Sequence, residues 1–130
     1  MEFFIAKKFP NAVFSDMDAK VREELKKEGF GVITEIDIKK TLKEKIDVDF
    51  RNYTIIGACN PAFAYKALQA EDKIGILLPC NVVIQETKTG EIEVLAFDPA
   101  SVMMNMDSPE LDDLSAEVRE KLTRVLENLD

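Results

Sequence analysis

Two dipeptides in this sequence could do chemistry. Cys59-Asn60 closes the run Ile56-Gly57-Ala58-Cys59-Asn60-Pro61, and Cys80-Asn81 lies within Leu77-Leu78-Pro79-Cys80-Asn81-Val82. In each, apolar strand-forming residues lead to Cys-Asn at a proline that breaks regular backbone. If the strands that carry them are neighbours, the two thiols approach one another. A thiolate there could serve as a nucleophile or a redox centre. Cys59 is the better placed, because it stands just before a helix start whose unpaired N–H groups favour an anion. Two thiolates could instead hold zinc or copper(I), with a carboxylate such as Glu35 or Glu86 completing the site. Asn60 and Asn81 could donate to a small ligand beside the cysteines, although Asn60 is also an ordinary helix cap. The competing reading is plainer: free cysteine is commonly a small buried hydrophobe.

Other candidates are thinner. Glu35 and Asp37 end one strand and Glu86 ends another. Paired carboxylates do acid–base work, but strand ends meeting water account for them equally well. Met103, Met104 and Met106 offer soft sulfur, or simply packing beside a C-terminal helix. The chain contains no histidine, which removes His-based triads, His general bases and His metal sites. It also has neither a Gly-rich phosphate loop nor a Cys-x-x-Cys pair.

These residues sit in 130 residues that are 46% hydrophobic and 32% charged, a globular composition of single-domain size. A formal net charge of -8, with no basic stripe, argues against nucleic-acid binding. The N-terminal apolar run is too short for a signal peptide and no run approaches a membrane span, so the expectation is a cytoplasmic protein without a membrane partner. Two cysteines are too few for a secreted disulfide scaffold.

Periodicity supplies the elements. Residues 2–8 read as a strand. A helix capped by Asn11 or Ser15 runs to Glu28 on a stripe of Phe14, Met17, Val21 and Leu25, and Gly29 stops it. Residues 30–36 form a second strand with Phe30, Val32, Thr34 and Ile36 on one face. Residues 37–46 form a thin amphipathic helix, either a solvated one or a lid over a pocket. A third strand spans 53–58. Asn60-Pro61 then opens a helix that buries Phe63, Ala64, Ala67 and Leu68. A fourth strand runs from Ile74 to Leu78 and, past Pro79, on through 81–86. Thr89-Gly90 turns into a fifth strand, 91–97. The last helix, about 110–129, presents Leu111, Leu114, Val118, Leu122, Val125, Leu126 and Leu129.

The order predicts one α+β domain over residues 1–130: a five-stranded, mainly antiparallel sheet with two long helices packed on one face and short helices inserted. Ile55-Ile56, Leu77-Leu78 and Val82-Val83 put apolar side chains on both faces of the sheet. Something must cover the second face, and a second copy of the chain is the economical candidate; a ligand cavity or the short helices would also serve.

The segments from Glu28-Gly29-Phe30-Gly31-Val32-Ile33-Thr34-Glu35-Ile36-Asp37 through Gly57-Ala58-Cys59-Asn60-Pro61 to Leu78-Pro79-Cys80-Asn81-Val82-Val83 resemble the domain-of-unknown-function 302 family. The similarity covers about residues 1–106, and the helix at 110–129 is less diagnostic. The resemblance implies a TATA-box-binding-protein-like fold of strand, helix, four strands and helix, and a homodimer. It implies no established activity, so no catalytic residue carries over. Three functions stay open. One is a homodimeric binding module for a small ligand or metal near Cys59 and Cys80. Another is a thiol-dependent redox enzyme with Cys59 as nucleophile. The third is a purely structural protein.

Overall fold

The computed structural model describes residues 2–103 and 106–130. Strands β1 (Phe4–Phe9), β2 (Gly31–Asp37), β3 (Tyr53–Cys59), β4 (Cys80–Glu86) and β5 (Ile92–Phe97) form one sheet in the order β1-β5-β4-β3-β2. Every neighbouring pair is antiparallel. The helices are α1 (Phe14–Lys27), α2 (Ile38–Ile46), α3 (Pro61–Ala70), α4 (Ala100–Met103) and α5 (Pro109–Glu127). The expected α+β class and five-stranded sheet are both present.

Alternation along the strands decides what the helices cover. Ile56 and Ala58 of β3, Val82 and Ile84 of β4, and Val94 and Ala96 of β5 point one way and are buried. Met17, Val21 and Leu25 of α1 and Val118, Leu122, Val125 and Leu126 of α5 close over them in one core. Each such aliphatic side chain contributes about 1.5–3 kcal/mol on full burial, so this layer dominates stability. The predicted stripes of both long helices match it. α5 is held at both ends. Ser108 caps it by accepting from the Leu111 amide at 3.3 Å. At the other end, Lys7 Nζ donates to the carbonyls of Leu126 and Leu129 at 3.2 and 2.8 Å. A cation there satisfies free carbonyls and complements the helix dipole.

Four local expectations fail. Neither Asn11 nor Ser15 caps α1; its N-cap is Val13, with no side-chain hydrogen bond, and buried packing of the stripe sustains the helix instead. The apolar run Ile74–Leu78 is not strand but the end of a 3₁₀ helix, Asp72–Leu77. Glu71 caps it by accepting from Lys73 N, and Ile74 is buried while Ile76 is 87% exposed. A short apolar run cannot by itself tell strand from helix. In β2 the register shifts between Val32 and Thr34. The extra residue there puts Val32 and Ile36 on opposite faces, so the predicted single face of Phe30, Val32, Thr34 and Ile36 does not exist. Leu68 of α3 is 41% exposed instead of buried. The Gly29 stop does form, at φ 86 directly after α1.

The sheet's second face is apolar. By register, Phe4, Phe97, Leu95, Val83, Ile55 and Tyr53 lie on the side away from α1 and α5, and all are half-buried. All of these but Ile55 line a groove of about 460 Å³, and Ile76 lines it too.

Candidate functional site

The two Cys-Asn steps meet across the β3–β4 ladder. Cys80 pairs with Ala58 and Asn81 with Gly57, while Cys59 pairs with Gly31 of β2 on the other side. The cysteines therefore stand one residue out of step on adjoining strands. Consecutive ladder positions take opposite faces, so Cys80 points into the helical core. Cys59 is the last residue of β3, where the chain turns into α3. There both cysteines and Asn60 line one nook of about 40 Å³. A water needs about 10–15 Å³, so the space suits a few atoms.

Three helices complete the nook. Phe63, Ala64 and Ala67 come from α3, Met103 from α4, and Leu114, Ser115 and Val118 from α5. No carboxylate, lysine or arginine lines it. Ser115 is buried and its hydroxyl is already used, donating to the Asp112 carbonyl at 3.1 Å. Burial, and then the neighbouring charge of Cys59, push the Cys80 thiol up to about 11. Cys80 is therefore a neutral thiol near pH 7 and a poor nucleophile.

The two asparagines part company. Asn60 caps α3, accepting from Phe63 N at 3.5 Å. Its amide nitrogen also stands 3.1 Å from where a side chain on Gly29 would begin. Asn81 is exposed on the far face and lines the groove there.

The carboxylates proposed to complete a metal site are elsewhere. Glu35 accepts from Arg22 Nη2 at 2.7 Å in an ion pair beside α1. Arg22 also bonds Asp18, whose hydrogen bond is the main reason its own pKa is raised. Glu86 accepts from Asn52 at 3.0 Å. It closes the strand that Cys80 opens, which at the rise of a strand places it about 20 Å away. Asp37 caps α2 through Lys40 N. Met103 is buried, Met106 is partly exposed, and Met104 lies outside the described residues. Among the described residues no three His, Cys, Asp or Glu side chains are grouped to hold a metal ion.

The sequence reading missed what locks the two segments together. A side chain on Gly57 would collide with the Thr34 hydroxyl and come within 2.8 Å of Pro79 Cγ. Gly57 is thus a slot filled by Thr34 of β2 on one side and Pro79, the residue before β4, on the other. It also missed the α5 wall, though a signal existed. Ser115 takes the place between Leu111 and Val118 where the apolar stripe would carry another large residue.

The chain was compared with known proteins. The family model described as Domain of unknown function DUF302 matches residues 5–129. Three solved chains match. One is the crystal structure of an uncharacterized conserved protein DUF302 from Bacillus stearothermophilus, 25% identical, with a TM-score of 0.90 and 100% of both chains covered. No curated protein matches.

Proposed function

This chain belongs to the DUF302 family, whose description specifies no reaction, and we propose that it is a non-enzymatic binding module that acts as a homodimer. The ligand is a small apolar molecule, or the apolar end of a larger one, seated against Cys59 and Cys80. The observation that carries this reading is the composition of the nook. It is concave and apolar, and its rim carries Asn60 and the half-buried Cys59. Binding sites are commonly apolar hollows with a few polar groups. A metal is the weaker choice, because two thiols leave zinc two ligands short. The thiol-enzyme alternative lacks a base, since no titratable group except the second cysteine lines the hollow.

Xenon and 1-butanol, titrated against labelled protein, test the ligand half. Amide shifts at Cys59, Asn60, Phe63 and Ala67 should saturate in the millimolar range. They should vanish in Ala64→Leu, whose longer side chain occupies the hollow. Absence of saturable shifts, or their persistence in that variant, would end the proposal. The dimer half is supported by the apolar second face of the sheet, and the mass in solution tests it.

A further inference from the structure

We infer that Cys59 and Cys80 form a reversible disulfide, which ties together the two feet of the segment between them and shuts the hollow beside it. The inference rests on the ligand half of the reading above and adds its regulation.

Topology puts the cysteines where a bond would matter. They are the only two in the chain. The chain leaves the sheet at Cys59, the last residue of β3, and re-enters it at Cys80, the first residue of β4. Between them, residues 60–79 carry α3 and the 3₁₀ helix. This excursion packs into a small core of its own, Ala67 and Ile74 with Met103 and Leu111, separate from the main core. A unit with its own small core can open while the main core holds. Phe63, Ala64 and Ala67 make one wall of the hollow, so lifting the excursion opens it and clamping its feet keeps it shut.

Reach agrees. Cys80 stands opposite Ala58. Opposed Cα atoms of an antiparallel pair lie about 4.5–5.5 Å apart, and Cys59 is one strand step of about 3.4 Å farther on. The two cysteine Cα atoms are thus about 6 Å apart, inside the range of about 4.4–6.8 Å that a disulfide spans. Both side chains line the same hollow, and Cys59 is close enough for its charge to be felt at Cys80.

A small-molecule disulfide such as glutathione disulfide is the oxidant. Cys59, half-buried at the rim, is the residue it meets first. The Cys59 thiolate attacks one sulfur of the reagent, whose S–S bond breaks and releases one thiolate. The Cys80 sulfur gives its proton to solvent, attacks the Cys59 sulfur and expels the second thiolate. Both protein thiols are oxidised, the reagent is reduced to two thiols, and the two cysteine protons end on those. The first step also removes the charge of Cys59, one of the two causes that hold the proton on Cys80. Burial remains, so closure is slow near pH 7 and quickens as pH rises.

The test incubates the folded protein with glutathione disulfide and follows its mass, its urea midpoint and its xenon-induced amide shifts. The expected product is a single chain lighter by two hydrogens, with Cys59 and Cys80 in one crosslinked peptide. Its urea midpoint should rise by about 1 M, and the xenon shifts at Phe63 and Ala67 should be lost. Dithiothreitol should restore both. Cys80→Ser should stop at one glutathione on Cys59, and Cys59→Ser should stay unmodified until urea is added. A wild type that stops at the mixed disulfide, links two chains, or reacts only in urea overturns the inference. So does a disulfide that leaves the urea midpoint or the xenon shifts unchanged. A reduced protein that takes up no xenon ends the reading above instead, and the bond is then judged by mass and urea midpoint alone.

Discussion

The two Cys-Asn segments are near twins in sequence and opposites in place. Cys59-Asn60 leaves a strand and enters a helix; Cys80-Asn81 follows a cis Leu78–Pro79 peptide and enters a strand. On the way out, the asparagine caps α3 and the cysteine stays half-buried at the rim. On the way in, the cysteine is sealed in the core at 7% exposure and the asparagine faces the other side of the sheet. The direction in which the chain crosses the strand end decides which member of the pair is structural. Asn60 matters in one segment and Cys80 in the other.

Three measurements would break or sharpen that contrast. The largest effect should come from the joint that holds the segments in register. Gly57→Val forces side-chain atoms into the Thr34 hydroxyl and Pro79 and should cost about 3 kcal/mol of unfolding free energy in urea. Adding Thr34→Ala should recover part of it. A cost below about 1 kcal/mol would show that the segments are not interlocked there.

Next is the titration of Cys80. Its folded pKa, about 11, lies above its ordinary value of 9.0, so the folded state holds the proton longer than the unfolded chain. The thiol's effect is therefore absent below about pH 9, and stability falls as pH rises from about 9 to 11, by about 2–3 kcal/mol. Unfolding curves of the wild type minus those of Cys80→Ala isolate this loss from lysine and tyrosine titration. Parallel curves would put Cys80 in water and remove the asymmetry with Cys59.

The smallest effect separates the asparagines. Asn60→Ala loses a helix cap and should cost about 1 kcal/mol, whereas Asn81→Ala on the exposed face should stay within about 0.5 kcal/mol. Equal costs would mean that the position of the step in the chain does not matter.

What could be read in the sequence was whatever repeats. α5 was legible to within a residue or two because seven apolar positions, spaced mostly three or four residues apart, mark one helix face along its length. The third and fifth strands were legible for the same reason at period two. The β2 bulge was not, because one inserted residue leaves composition unchanged and alters only which neighbour each residue meets. Ile74–Leu78 was not, because four apolar residues suit a strand or a tight helix equally. In the candidate site, the cysteines were legible as a pair, but not their division between rim and core. The displacement of Glu86 was also hidden, since a strand's far end is near in sequence and far in space.

By itself, then, the amino-acid sequence determined the class of fold, the residues of the helical core, and the histidine-free, acidic chemistry open to the protein. These follow from side-chain type and from periods that the backbone imposes locally. Only the tertiary structure decided that Gly57 is a slot, that Pro79 fills it, that Cys80 is sealed while Cys59 reaches a rim, and that α3, α4 and α5 converge there. Those facts depend on the register between strands far apart along the chain, and register is set by the packing of the whole sheet rather than by any one segment.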